Sequence, residues 1–166
     1  MDRPKAYLES SVVSYRVARP SRDVIVLSHQ EITRMWWENH LHEYAVFVSE
    51  VVLDEIRRGD TGAASDRLGV VSGIPLLPIG PDVEHLAALY QEKLQLPEKS
   101  LRDTLHLAVA SVHAVEYLVT WNCKHIANAH IRRQLAEINS SEGIYTPIVC
   151  TPEELLDDDD IPNPEV

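Results

Sequence analysis

Short runs of β-branched and aromatic residues alternate with longer amphipathic stretches along this chain, and this alternation limits the fold more than any other feature. The short runs are predicted strands, at residues 5–8, 44–49, 74–79, 116–121 and 147–150. The stretches between them are predicted helices, at about 10–17, 22–42, 50–58, 60–72, 81–95, 99–114 and 124–139. Because these connections are long enough to be helical, the pattern predicts an α/β fold with a mostly parallel sheet.

The length and composition predict one domain. A chain of 166 residues with 45% hydrophobic residues can bury a single continuous core. We assign residues 1–156 to this domain, and we expect the acidic, proline-containing segment 157–166, DDDDIPNPEV, to be a solvated and mobile tail. No run approaches the roughly 20 apolar residues that span a bilayer, and the first residues carry charges where a signal peptide would be apolar. We therefore expect no membrane association and a cytoplasmic location.

The charge of the chain limits how it can contact nucleic acid. The formal net charge is −11, with a pI of about 5.1, which excludes binding over a broad basic face. Contact with nucleic acid would require cations or a local basic strip. The two cysteines, Cys123 and Cys150, lack metal-knuckle spacing and are expected to be reduced thiols.

Acidic and amide side chains follow the predicted strands or lie in helices near them. Ligands of open parallel sheets bind beyond the carboxyl ends of the strands, and there the sequence places Glu9, Glu50, Asp54, Glu55, Asp103 and Asn122. Taken singly, each acid is better explained as a helix cap or surface residue. Together they would repel one another unless a cation lay between them, and oxygen ligands favour Mg²⁺ or Mn²⁺.

Three of these acids share one predicted helix, after residue 49. Glu50 begins it and is interpreted as a favourable charge at a helix N-terminus. Asp54 and Glu55 are adjacent and point about 100° apart, so at most one of them should face the site.

Four segments resemble PIN-domain proteins in their order along the chain: YLESSVVSYR, VSEVVLDEIRRGD, LPEKSLRDTLHLAVA and EYLVTWNCKHIANA. The resemblance covers nearly the whole length, and CTPEEL near the end resembles a subgroup of the family. It implies a three-layer α/β/α fold with an acidic pocket and Mg²⁺- or Mn²⁺-dependent ribonuclease activity. It also implies the toxin role in a bacterial or archaeal toxin–antitoxin pair.

The family's catalytic positions fall on Glu9, Glu55, Asp103 and Asn122 of this sequence. The resemblance implies that Glu9 and Asp103 hold the metal, that Asn122 contributes directly or through water, and that Glu55 orients or deprotonates the attacking water.

The chain departs from the family pattern at two of these positions. Glu9 and Asn122 stand where the family more often, or in many members, has aspartate. Asn122 brings no negative charge, which predicts weaker binding of the metal. Ser11 and Thr120 match small hydroxyl residues that border the pocket.

Basic residues flank the acidic positions in the sequence. They are Arg16, Arg19, Arg22, Lys99, Arg102 and Lys124. As a set they could form a strip that contacts RNA phosphates, whereas for each one alone an ordinary surface ion pair is the better explanation.

Several histidines and tryptophans have open roles. We expect His106 and His113, two turns apart on one helix, to be packed or hydrogen-bonded rather than metal ligands. His125, one turn after Asn122, could approach a phosphate. Trp36 and Trp37 are adjacent and cannot both face inward, so one could contact RNA or a protein partner.

Two other functions remain open. A PIN-like protein with a weakened site would act as a protein- or RNA-binding module, and Asn122 favours this alternative. A phosphoesterase or phosphoryl-accepting protein ranks third, because YLESS supplies only one acid. A cognate antitoxin and a homodimer are expected from the resemblance alone.

Overall fold

The computed structural model describes residues 2–161 and has a four-stranded parallel sheet at its centre. Its strands are β1 (Lys5–Leu8), β2 (Ala45–Phe47), β3 (Tyr117–Val119) and β4 (Ile148–Cys150). The order across the sheet is β2-β1-β3-β4, and every neighbouring pair is parallel. The carboxyl ends of all four strands therefore lie at the same edge.

Seven α-helices surround the sheet in the described part of the chain. They are α1 (Ser10–Val17), α2 (Val24–Asn39), α3 (Glu50–Ile56), α4 (Thr61–Val70), α5 (Pro81–Lys93), α6 (Leu101–Val112) and α7 (Ala129–Glu142). Short 3₁₀ turns occur at Leu41–Glu43, Glu98–Ser100 and Pro152–Leu155. The prediction of an α/β fold with a parallel sheet flanked by helices is confirmed.

Two predicted elements differ from the structure. Residues 74–79 form only an isolated bridge between Leu76 and Val48, and not a strand. Pro78 lacks an N–H group and cannot extend the pairing. The last helix begins at Ala129 rather than near residue 124, because the Asn128 side chain accepts a hydrogen bond from Ile131 N (2.9 Å) and caps the helix there.

The core lies between the sheet and both helical layers, and Trp36 on α2 is its largest fully buried side chain. Its neighbour Trp37 is half-buried, with the Arg16 guanidinium 6.0 Å from its ring centre. The two adjacent tryptophans thus diverge as expected, but Trp37 packs beside Arg16 and is not fully exposed. None of the described helices is long and apolar enough to cross a membrane.

The acidic C-terminal segment begins against the end of α2. His40, which is 7% exposed, lies between Glu43 (Nδ1 to Oε1, 3.0 Å) and Asp160 (Nε2 to Oδ2, 2.5 Å). Carboxylates only accept hydrogen bonds, so both contacts require the doubly protonated imidazolium. The predicted tail 157–166 therefore has an ordered contact at Asp160, while its last residues, 162–166, lie outside the described residues.

This contact predicts a pH-dependent stability. Two hydrogen bonds raise the pKa of His40 above its usual value, and the one with Glu43 contributes more than the one with Asp160. A raised histidine pKa stabilises the fold below the unfolded pKa, about 6.5, and this stabilisation is lost as the pH rises through the folded pKa. Between pH 6 and 8 we expect the Tm of the wild type to fall by about 2 °C more than that of His40→Gln. Parallel Tm curves in differential scanning calorimetry would contradict this.

Candidate active site

The four predicted catalytic residues lie at the carboxyl edge of the sheet. Glu9 directly follows β1, and Asn122 lies three residues after the end of β3, which pairs with β1. Glu55 lies on α3, the helix that follows β2, and Asp103 lies in the first turn of α6. The parallel topology thus brings residues from four separate segments to one place.

Glu9 is held by hydroxyl groups from two strand ends. It is 5% exposed and is the N-cap of α1, where its Oε2 accepts a hydrogen bond from Ser11 N (3.0 Å). The hydroxyl groups of Ser11 and Thr120 also donate to Oε2, the latter over 2.8 Å, and Ser10 Oγ donates to Oε1 (2.8 Å). Both carboxylate oxygens of Glu9 therefore have partners.

The hydroxyls that hold Glu9 are themselves oriented by backbone groups. Trp121 N donates to Ser11 Oγ and Asn122 N donates to Thr120 Oγ1, each over 2.9 Å. Each hydroxyl accepts a hydrogen bond from the backbone and donates one to Glu9. Ser11 and Thr120 therefore fix the direction of the Glu9 carboxylate.

Glu55 reaches the site from α3 and contacts His106 on α6. Glu55 Oε1 lies 2.5 Å from His106 Nε2, and the Glu55 side chain is 24% exposed. The preceding residue, Asp54, points outward and pairs with Arg57 (3.2 Å). Of the two adjacent acids, the one that the resemblance selected is the one near the other carboxylates.

Asp103 forms a second hydrogen-bonded group with Asn122 and His125. Its Oδ1 accepts from Asn122 Nδ2 (3.0 Å) and its Oδ2 lies 3.0 Å from His125 Nδ1. The Asn122 Oδ1 accepts from His125 N (3.1 Å). Because a backbone N–H only donates and a carboxylate only accepts, the orientation of the Asn122 amide is fixed at both ends. Asn122 thus offers Asp103 an N–H group rather than an oxygen.

Burial and neighbouring charges shift the pKa values of two residues in the site. Burial raises the pKa of Asp103, and His125 and His106 oppose this rise. Burial lowers the pKa of His106, but its hydrogen bond with Glu55 and the surrounding carboxylate charges raise it by more. The Asp103 shift therefore comes mainly from burial, and the His106 shift comes from the carboxylates around it.

A cation would find ligand atoms already close together here. One oxygen each of Glu9 and Glu55 and one ring nitrogen of His106 lie within 4.8 Å of one another. Carboxylate oxygens are the ligands that suit Mg²⁺ or Mn²⁺, so the two carboxylates of this cluster fit such an ion. This cluster shares Glu9 with the predicted ligand set of Glu9, Asp103 and Asn122. The ligand roles of Asp103 and Asn122 stay predictions.

The predicted RNA-binding residues differ in ion pairing and exposure. Arg16 pairs with Glu38 (3.5 Å) and lies over Trp37. The other five form no ion pair within residues 2–161. Arg102 is half-buried, and the remaining four are exposed: Arg19, Arg22, Lys99 and Lys124. Arg19 lines a cavity of about 700 Å³ between α1, α2 and α4, but none of the four predicted catalytic residues lines it.

Sequence reasoning missed the partners of Glu55. It predicted that His106 is packed or hydrogen-bonded, and the structure shows it fully buried with Glu55 and Tyr7 as partners. The sequence did show that His106 lies on the same side of α6 as Asp103, because it follows Asp103 by three residues. The proximity of Glu55 could not be read, since 51 residues separate it from His106.

No protein-family model and no curated protein matches this chain. The resemblance to PIN-domain proteins therefore stays a prediction, and the function has to be argued from the residues of the site.

Proposed function

We propose that this protein is a metal-dependent endoribonuclease that hydrolyses RNA phosphodiester bonds. The observation that carries the proposal is the meeting of Glu9, Glu55 and Asp103 with Asn122 at the carboxyl edge of a parallel sheet. Three carboxylates in one partly buried place repel one another unless a cation lies between them, and a nuclease uses such a cation to polarise the phosphate.

Each residue has a distinct role in this proposal. Glu9 and Asp103 hold Mg²⁺ or Mn²⁺, which when bound polarises the phosphate and makes water a better nucleophile. Glu55 orients or deprotonates the attacking water. Ser11 and Thr120 keep the Glu9 carboxylate directed into the site.

Asn122 has two alternative roles in the reaction. In the observed orientation it donates to Asp103 and so restrains that carboxylate. In the role that the resemblance implies, Asn122 would contribute to metal binding directly or through water, and its Oδ1, which accepts from His125 N, has a second lone pair for this.

RNA contact would depend on local groups because the chain as a whole repels phosphate. The net charge is −11, so basic side chains and the bound cation would have to supply the attraction. Arg19, Arg22, Lys99, Arg102 and Lys124 are proposed to contact phosphates, and Arg16 could join them after leaving Glu38.

The first experiment measures dependence on the metal. Purified protein is incubated with a mixed RNA pool, with EDTA or with added Mn²⁺, and Mn²⁺ binding is titrated by calorimetry. We expect cleavage to stop in EDTA and to return when Mn²⁺ is added in excess, with one or two Mn²⁺ bound per chain. Cleavage that EDTA leaves unchanged would contradict the proposal.

A second candidate function is a non-catalytic binding module with a weakened site. One observation favours it: both oxygens of Asp103 and both oxygens of Glu9 already have hydrogen-bond partners. A metal would have to share these oxygens with protein donors. Absence of both Mn²⁺ binding and cleavage in the experiment above would favour the module.

The biological setting follows from the resemblance and is part of the proposal. A toxin of a toxin–antitoxin pair would act on RNA in the cytoplasm, would be neutralised by an antitoxin protein and would form a homodimer. A short reading frame beside the gene for this protein would support the pairing, and sedimentation of the purified chain would test the dimer.

A further inference from the structure

A chain of four hydrogen-bonded side chains runs from the interior to the candidate active site. Ser49 Oγ lies 2.7 Å from Tyr7 OH, Tyr7 OH lies 2.8 Å from His106 Nδ1, and His106 Nε2 lies 2.5 Å from Glu55 Oε1. Ser49, Tyr7 and His106 are each 0% exposed. Three buried polar groups are thus committed to one carboxylate at the edge of the site.

The direction of the last hydrogen bond follows from the chemistry of its partners. Glu55 as a carboxylate only accepts, so His106 Nε2 carries the hydrogen. Burial raises the pKa of the Tyr7 hydroxyl far above its usual range, so Tyr7 stays neutral. A neutral hydroxyl can either donate to His106 Nδ1 or accept from it. His106 therefore donates to Glu55 whether its ring is neutral or protonated.

This contact leaves Glu55 different from the other two carboxylates. Both oxygens of Glu9 and of Asp103 have hydrogen-bond partners, whereas Glu55 Oε2 has none among the described residues. Glu55, which would accept a hydrogen bond from the attacking water, is thus bound through Oε1 and has Oε2 available.

We propose that His106, supported by Tyr7 and Ser49, is a positioning residue that holds Glu55 by Oε1 and directs Oε2 at the attacking water. This inference rests on the proposed nuclease function. It assigns His106 no metal ligation, and the geometry supports this. His106 Nε2 donates its hydrogen to Glu55 Oε1 over 2.5 Å, and a ring nitrogen that carries a hydrogen has no lone pair for a cation.

The test compares two substitutions at one position. His106→Leu introduces an apolar side chain of similar size and removes the donor, and His106→Gln keeps an N–H group at a similar reach. Kinetics on a fluorogenic RNA oligonucleotide give kcat and KM, and calorimetry gives the Kd for Mn²⁺. His113→Leu is the matched control, since His113 is the C-cap of the same helix and contacts Pro78 O (2.7 Å) instead of the site.

We expect His106→Leu to lower kcat about 100-fold, the cost typical of a catalytic group misplaced by about 1 Å. Its KM and its Kd for Mn²⁺ should stay within a factor of about three, because phosphate and metal contacts lie elsewhere. His106→Gln should recover at least about tenfold of the lost kcat, and Tyr7→Phe should lower kcat about three- to tenfold. His113→Leu should match the wild type. Tm values report whether each variant is folded.

The outcomes separate this inference from the proposed function. If the wild type cleaves RNA and folded His106→Leu cleaves it equally well, the positioning role is overturned and the nuclease function stands. If His106→Leu weakens Mn²⁺ binding more than tenfold and His106→Gln does not recover kcat, His106 is a metal ligand and the positioning role is again overturned. If the wild type neither binds Mn²⁺ nor cleaves RNA, the nuclease function fails and the positioning role fails with it.

Discussion

Replacing Asp103 with asparagine should abolish RNA cleavage while leaving the protein folded. We expect turnover to fall at least about 1000-fold, because a negative charge that holds the cation is lost and electrostatic stabilisation is the largest contribution in such sites. Mn²⁺ binding measured by calorimetry should weaken in parallel. The fold should persist, since asparagine has the size of aspartate, can still accept from Asn122 and can donate to His125.

The matched control for this substitution is Asp54→Asn. Asp54 lies on α3 next to Glu55 but points outward and pairs with Arg57. The control makes the same change in charge a short distance away, so it should keep full activity. Unchanged turnover by Asp103→Asn would rule out the assigned role, and an equal loss in both variants would indicate a general effect of charge rather than a site.

Replacing Trp36 with alanine should cause the largest loss of stability among single substitutions on α2. Trp36 is fully buried, and its ring packs 5.8 Å from that of Tyr44, centre to centre. Removing a buried tryptophan costs about 3–5 kcal/mol, against a total of about 5–15 kcal/mol for a typical domain. Urea denaturation followed by circular dichroism measures the free energy of unfolding.

The neighbouring Trp37 provides the control for Trp36. It has the same chemistry but is half-buried, so Trp37→Ala should cost clearly less than Trp36→Ala. If the alanine variant does not fold, Trp36→Phe can be measured in its place. Its free energy of unfolding should lie between those of the wild type and Trp36→Ala. Equal losses at positions 36 and 37 would contradict the burial seen in the structure.

The candidate site could be predicted in part because its positions follow strand ends. Glu9 comes directly after β1 and Asn122 lies three residues after β3, and a parallel sheet brings such positions together whatever the details of packing. Ser11 and Thr120 were predicted to border the site, and both donate to Glu9. The contact between Glu55 and His106 depends on how α3 and α6 pack on the sheet, so the local pattern of neither helix contained it.

The starts of two helices show the same difference between what the sequence reveals and what the tertiary structure adds. The start of α2 follows from Asp23, whose side chain caps the helix from a position that the sequence displays. The start of α7 is capped by Asn128, but the turn before it is held by the main-chain oxygen of Asn122, which accepts hydrogen bonds from Ile126 and Ala127. A periodic pattern of apolar residues does not reveal a turn of this kind.

The sequence by itself determined the α/β class, the parallel sheet and the edge at which acids collect, because strand length, helix periodicity and chain order are local properties. Only the tertiary structure decided which polar groups meet. It places His106 behind Glu55, turns the amide of Asn122 toward Asp103 and attaches Asp160 to His40. These contacts join residues 51, 19 and 120 positions apart, and packing of whole elements sets such distances.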